Sequence, residues 1–369
     1  MTETPNQIRE RIQKDAAQRL ETEKRLICRW GTGCGKSNIA LWFIKWHPDF
    51  KTLIVVPEIN NIENWWAEFD KFKVPRDSTT IICYASLKNY KDTSWGLLVL
   101  DEAPHVDTDL RFDIMTSIKA EHVLALGAVV STDEQARLEL QYGKFAESRI
   151  TLDMAIEFGI LPPPEVRVCH MTLDDTNRQY RYDGRECTAK GVYDALEAKV
   201  TNAVVAYNQN SNKWNLIQMQ RLGSERKRFL GEQKTYALEF ICNKLKEAGK
   251  RYICFCTSIA QAEKLGGSNS FTSHTPKSFD VLNKFNTHKI DSIYCVGKLI
   301  EGQNLVDIDC GVIGQLGGKE RITIQSIGRI MRSSNPIVYV PIYDGTKDNG
   351  FMSSLTNSIS SKYIKHYKL

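Results

Sequence analysis

Between Trp30 and Ser37 the chain reads WGTGCGKS, after the apolar run Arg25 to Arg29 and before a helix-like run that begins at Asn38. Gly33 and Gly35 let the backbone approach an anion closely. Consecutive N–H groups of such a loop wrap a phosphate, and the helix that follows aims its positive end at the same charge. Lys36 is spaced to reach the outer phosphates of a nucleoside triphosphate, and Ser37 offers a hydroxyl to Mg²⁺. The bland alternative is a glycine-rich strand-to-helix turn with a chance lysine, which the flanking pattern disfavours. A second group follows at Gly96 to His105, GLLVLDEAPH, an apolar run ending in two carboxylates. At the C-terminal edge of a sheet Asp101 can hold Mg²⁺, and Glu102 can orient or deprotonate a water. Acid pairs also occur as solvated strand ends, but an upstream phosphate loop favours the chemistry.

Such groups have to be held by strands that end side by side, and the pattern supplies them. A helix is expected over Ile8 to Glu23, a strand over Leu26 to Arg29, and a buried helix over Asn38 to Trp46 that Pro48 terminates. Strands follow at Thr52 to Pro57, Thr79 to Leu87, Gly96 to His105 and His122 to Ser131. Strands alternating with helices predict a doubly wound parallel sheet. On the helix Glu58 to Phe72, the spacing of Trp65, Trp66, Phe69 and Phe72 reads as core packing rather than as a base-stacking platform.

Three consecutive prolines, Pro162 to Pro164, mark a domain boundary. Residues 1–160 are therefore read as the first domain and 161–173 as a proline-rich linker with the first strand of the second. Residues 174–233 read as a helical, basic insertion, 234–345 as a second α/β domain without a phosphate loop, and 346–369 as a tail read as a solvated helix. In the insertion, Arg221, Arg226, Lys227 and Arg228 are equally compatible with phosphate contacts and with a solvated helix face.

At 369 residues, two compact units are the default expectation. The net charge of +5 permits a polyanionic partner without demanding one. Ten cysteines are scattered, several of them inside apolar runs, and read as reduced core residues. Cys254 and Cys256 are read as pointing to opposite faces of a strand, which argues against a metal pair. The N-terminus has no apolar segment of signal-peptide type and no apolar run approaches spanning length, so a cytoplasmic protein with no membrane partner is expected.

Taken together, these motifs resemble those of superfamily 2 helicases, of the compact phage type and similar to type III restriction and DNA-repair helicases of DEAH-like kind. GTGCGKS resembles motif I in its seven-residue form, with Gly31 in the proline place; the eight-residue P-loop pattern would want glycine where Trp30 stands. IVVP resembles motif Ia, YASL motif Ib, DEAPH motif II, FCTS motif IV, VGKLIEGQNL motif V and QSIGRIMR motif VI, in the family's order from Gly31 to Arg332. The resemblance implies two tandem RecA-like parallel-sheet domains with a helical insertion and an ATP cleft between the domains. It implies ATP and Mg²⁺ as the cofactors. Gly31, Thr32, Gly33, Cys34, Gly35, Lys36 and Ser37 would bind the nucleotide, with Gly302 and Asn304 near the ribose and phosphates. Ser37 and Asp101 would hold the metal. Lys36, Glu102, Gln325, Arg329 and Arg332 would carry hydrolysis, Arg329 as the arginine finger. Gln13 resembles the adenine-reading glutamine of these helicases, with a solvent-facing glutamine as the alternative. Pro57, Ser86, Thr257 and Ser258 would touch nucleic acid, mainly its phosphates.

The implied function is an ATP-dependent helicase or translocase, acting by unwinding, annealing or branch migration on single-stranded, branched or duplex DNA, with RNA as the other substrate and movement 3′ to 5′. A monomer is expected, with a protein partner as the alternative. The rival is a degenerate helicase fold used as an ATP-gated nucleic-acid clamp or assembly subunit. Two departures bear on it: Pro104 stands where relatives carry histidine, and Gly127, Ala128 and Val129 replace the hydroxyl-rich motif III.

Overall fold

The computed structural model describes residues 3–103, 115, 117–275, 278–296, 305–315, 327–328, 330–331, 333–357 and 359–369. The chain forms two compact units. The first comprises Met1–Pro163 with Glu301–Asn304 and Thr323–Arg332, and the second comprises Pro164–Ile300, Leu305–Ile322 and Ser333–Leu369.

The first unit is built on a six-stranded sheet of β1 (Arg25–Trp30), β2 (Thr52–Val56), β3 (Thr79–Cys83), β4 (Ser94–Leu100), β5 (Lys119–Gly127) and β6 (Ala146–Ile150), in the order β3-β2-β4-β5-β1-β6. Every pairing in it is parallel. All five residues of β2 are buried, as a strand covered on both faces requires, and TLIVV is correspondingly apolar and β-branched. Helix α1 (Pro5–Glu23) opens with a capping box in which Thr4 and Gln7 exchange hydrogen bonds, and it buries Gln13, Ala16, Ala17 and Leu20 along one stripe. Helix α2 is Ser37–Trp46 and α3 is Asn60–Phe72, where Asn61, Trp65 and Phe69 are buried at four-residue spacing. Helices α4 (Thr132–Tyr142) and α5 (Leu152–Glu157) complete the set.

The second unit carries a seven-stranded parallel sheet in the order β11-β12-β10-β13-β14-β7-β15. Its strands are β7 (Glu165–Met171), β10 (Tyr252–Cys256), β11 (Ser270–Phe271), β12 (Ser292–Val296), β13 (Cys310–Ile313), β14 (Ile337–Tyr343) and β15 (Ile364–Lys368). Between β7 and β10 lies a small hairpin, β8 (Tyr180–Tyr182) and β9 (Arg185–Cys187). Asp183 and Gly184 turn it with φ of 48° and 78°, the left-handed pair a two-residue hairpin favours. Helices α6 (Ala189–Gln209) and α7 (Lys213–Gln233) follow, then α8 (Thr235–Glu247), α9 (Ile259–Gly266), α10 (Ser278–Asn286) and α11 (Lys347–Thr356). At the junction of α7 and α8 a fully buried Lys234 ammonium meets Asp348 Oδ2 at 2.8 Å. Gln315 closes the cluster, accepting from Lys234 at 3.0 Å and donating to Asp348 at 2.9 Å. Burial pushes the lysine below its ordinary pKa, against the pull of Asp348.

Several elements differ from the sequence reading. The stretch YASL is not strand: β3 stops at Cys83 and a 3₁₀ turn runs Tyr84–Tyr90, because the chain leaves the sheet to bury Tyr84 and Leu87. The acid-ended strand stops at Leu100, one residue before the carboxylates. The tail is no solvated helix; α11 and the edge strand β15 tie it to the second sheet, β15 pairing with β7 from Ile364↔Val166 to Lys368↔His170. Cys254 and Cys256 share one face of β10, their sulfurs 3.9 Å apart, since the strand period is two. In the insertion Arg226 is buried and paired with Glu197 at 2.6 Å, so it is not offered to a phosphate; Arg221 and Arg228 are exposed.

Candidate active site

The loop after β1 begins with Trp30, which is buried and donates its indole N–H to Ser148 on β6 at 3.0 Å. A large residue is therefore accommodated at the position where glycine was expected, because its side chain points into the sheet. Gly33 and Gly35 have φ of 89° and 78°, a backbone that side chains resist and that turns successive N–H groups toward one concavity. Behind the loop stands Gln13. Its amide nitrogen is 3.4 Å from the Cys34 carbonyl and 3.2 Å from that of Gly35, and Asn38 donates to its oxygen at 3.4 Å. A Cβ on Gly35 would collide with this amide. Gln13 is only 2% exposed, which overturns the solvent-facing reading: its amide supports the loop from beneath.

Helix α2 starts straight from the loop, and no side chain caps it. Lys36 donates from Nζ to the Trp30 carbonyl at 3.1 Å, so the ammonium arches over the loop. The Thr32 hydroxyl is buried without a hydrogen-bond partner among the described residues. A Cβ on Gly328 would come within 2.6 Å of the Thr32 Cβ, so glycine is needed for that close approach. Cys34 is fully buried and its thiol is pushed up to about 11, which makes it packing rather than a nucleophile. A left-handed glycine cradle, an uncapped helix start, an orphaned hydroxyl and a lysine over the loop fit a phosphate chain.

Asp101 and Glu102 follow β4 at the same, C-terminal, edge of the sheet, with β5 between β4 and β1. Burial raises the Asp101 carboxyl to about 6, and the Glu102 charge adds to the rise. A hydrogen bond from the Trp65 indole and the charge of Lys36 oppose it, which places lysine and carboxylate within electrostatic reach of one another. Trp65 Nε1 donates to Asp101 Oδ2 at 2.9 Å, and Tyr84 Oη donates to the Asp101 carbonyl at 3.1 Å. Glu102 has φ of 48°, left-handed backbone of the kind that costs a non-glycine residue about 1–3 kcal/mol and collects at functional sites. Two neighbouring carboxylates, one of them desolvated, fit a divalent cation. Among the described residues no three His, Cys, Asp or Glu side chains form a metal cage; Mg²⁺ is ordinarily taken by one or two carboxylates together with substrate phosphates.

Of the strand-tip residues, Pro57 follows β2 and is half-buried, and Ser86 lies in the 3₁₀ turn with its Oγ 3.3 Å from the Cys83 sulfur. Ser258 Oγ accepts from the Gln261 N–H at 3.2 Å and caps α9. Thr257 gives its N–H to Gln261 at 2.9 Å, and its hydroxyl is enclosed, with no partner among the described residues, against Gly231, where a Cβ would clash with it. Contrary to the sequence reading, this hydroxyl is not presented to a phosphate, because α7 covers it. Pro104, His105, Gly302, Asn304, Gln325, Arg329 and Arg332 lie outside the described residues. Ile327, Ile330 and Met331, beside the two arginines, are fully buried.

Sequence reasoning missed the Gln13 buttress and the Trp65 and Tyr84 bonds to Asp101. Helical spacing marked Trp65 as core, but nothing in the sequence pairs its N–H with an acid 36 residues away.

No protein-family model matches the chain. A Halobacterium salinarum protein described as "Putative DNA 3'-5' helicase Rad25" is 23% identical over 286 residues, covering 75% of this chain and 41% of that protein. The chain thus spans about two fifths of that relative's length. Among solved structures, the Pyrococcus furiosus Hef helicase domain superposes with a TM-score of 0.57 at 12% identity, over 94% of this chain and 97% of that one. The Sulfolobus solfataricus SWI2/SNF2 ATPase core in complex with dsDNA covers 96% and 91% at 13% identity; its TM-score of 0.38 is too low to bear on the fold. With the two parallel sheets, the likeness to the Hef helicase domain gives the chain a fold of two tandem RecA-like units.

Proposed function

We propose that the chain hydrolyses ATP to move along or unwind nucleic acid, and that its substrate is DNA. The observation that carries this reading is the pairing, in one compact unit, of the glycine cradle under Lys36 with the desolvated Asp101 and the strained Glu102.

In this reading Gly31 to Ser37 wrap the phosphates, and Lys36 supplies their main point charge. Ser37 and Asp101 would hold Mg²⁺, which would supply positive charge to neutralise that of the phosphates. Glu102 orients the attacking water and accepts its proton. Gln325, Arg329 and Arg332 offer donors and positive charge to the terminal phosphoryl group, Arg329 foremost, and Gly302 and Asn304 lie near the ribose and phosphates. Pro57, Ser86 and Ser258, at strand tips, would contact the backbone of a strand, so binding depends little on sequence. DNA and 3′ to 5′ movement are proposed on the likeness to the Halobacterium protein, whose description contains both terms.

The test is ATP turnover and strand displacement measured on one preparation with no nucleic acid, single-stranded DNA, blunt duplex, forked DNA and RNA. DNA-stimulated turnover is expected, greatest with single-stranded or forked DNA. Turnover indifferent to every nucleic acid, or stimulated by RNA alone, contradicts the reading.

A further inference from the structure

Helix α3 buries one stripe, Asn61, Trp65 and Phe69, against the sheet. Core packing explains why an aromatic stands at position 65, but not what its polar edge does. The indole is 4% exposed, and its N–H, which can only donate, points at an acid. Other indoles in the chain behave differently. Trp30 and Trp95 donate to the hydroxyls of Ser148 and Thr93, and the Trp42 nitrogen is buried without a partner among the described residues. A buried indole in this fold thus does not have to find a carboxylate.

We infer that Trp65 is a positioning residue for the metal site: its indole N–H fixes the Asp101 carboxylate so that the other oxygen is presented to the cation. Asp101 is then held by three separate elements. Its N–H donates to the Val55 carbonyl of β2 at 2.9 Å, its carbonyl accepts from Tyr84 in the 3₁₀ turn at 3.1 Å, and Oδ2 accepts from Trp65 on α3 at 2.9 Å. The first two bonds set the backbone. The carboxylate can still rotate about its own bond, and the indole removes that freedom. Its neighbour shows how local the role is: Trp66, one residue on, meets Phe69 edge to face and lies under the Arg76 guanidinium, 5.0 Å from the ring. Partners of this kind behind a metal ligand are typically worth about 10- to 100-fold in metal affinity.

The inference rests on the reading of Asp101 as a metal ligand, and the experiment separates the two. ADP binding is followed by calorimetry, first in EDTA and then over a range of Mg²⁺, for wild type, Trp65→Phe, Asp101→Asn and a protein carrying β-(3-benzothienyl)alanine at position 65. The last keeps the shape of the indole and lacks only the N–H. Both position-65 proteins should bind ADP in EDTA within about twofold of wild type, while the Mg²⁺ needed for half of the metal-dependent gain rises about 10- to 100-fold. An unchanged Mg²⁺ requirement in the benzothienyl protein overturns the inference, as does a loss of ADP binding in EDTA that equals the loss in Mg²⁺, since both mean packing alone. If Asp101→Asn shifts the Mg²⁺ requirement and the position-65 proteins do not, the inference alone fails. If Asp101→Asn also leaves it unchanged, the metal-site reading fails as well.

Discussion

The turn from β1 to α2 in the first unit and the turn from β10 to α9 in the second both leave the C-terminal end of a buried parallel strand and enter a helix. In the first, two left-handed glycines open the backbone, and α2 begins at Lys36 in helical conformation with no side-chain cap. In the second, Ser258 is extended (φ −135°, ψ 158°) and its hydroxyl caps α9, while Gln261 takes the Thr257 N–H and reaches Gly231 and Thr235. One helix start has no side-chain cap among the described residues; the other is satisfied by its own side chains. In the proposed reading, then, the repeated fold carries phosphate chemistry in one copy, while in the other the turn is braced by its own side chains.

The largest expected effect concerns Arg329, proposed to offer its charge to the terminal phosphoryl group. Arg329→Ala should lower ATP turnover by on the order of 10³ to 10⁵ with ATP binding retained, if it acts as the arginine finger. A loss under about tenfold in steady-state kinetics would move that role to Arg332.

Next comes the bracing in the second unit. Lys234→Met leaves Asp348 buried without its cation and should cost about 3–5 kcal/mol in chemical denaturation, with ADP affinity unchanged in the protein that remains folded. A change in ADP affinity instead would break the division of labour between the units.

Smaller still is the effect at the end of β5, where Gly127, Ala128 and Val129 lack the hydroxyls of related motifs. The nearest hydroxyl in sequence, Ser131, is engaged in the capping box of α4 with Glu134. A hydrogen bond from a hydroxyl to a charged group is worth about 1.5–3 kcal/mol. Ala128→Ser combined with Val129→Thr is therefore expected to raise the base pairs opened per ATP consumed, from a wild type that hydrolyses readily and unwinds long duplexes poorly. Tight stoichiometry in wild type would refute this.

The smallest is the capped turn itself. Ser258→Ala should cost about 1 kcal/mol of stability by thermal denaturation and leave nucleotide binding alone.

Both turns were legible in the sequence to different depths. The P-loop is a local signal, because the glycines, the lysine and the flanking periodicities are all contiguous, and β1 and α2 fall within a residue or so of where the pattern puts them. The acid pair was legible for the same reason. What escaped was non-local. Gln13 sits on a helix with few apolar residues, and only the fold brings its amide under Gly35. Trp65 gives the helical period no way to reveal its partner. The edge strand β15 is hidden because IKHYK has no apolar alternation, its lysines falling on both faces, and it is recognisable only by its pairing with β7. Thr257 and Ser258 look alike to an eye seeking hydroxyls at strand tips, but the Thr257 side chain packs against Gly231, 26 residues earlier, while Ser258 caps its helix.

The most direct measurement is the stoichiometry of ATP-analogue binding by equilibrium titration in Mg²⁺, on wild type, Lys36→Ala and Ser258→Ala. One site per chain is predicted, lost or severely weakened in Lys36→Ala and intact in Ser258→Ala. A second site per chain, undiminished binding by a folded Lys36→Ala protein, or binding that follows Ser258 instead, would contradict the assignment of the β1 turn as the nucleotide site.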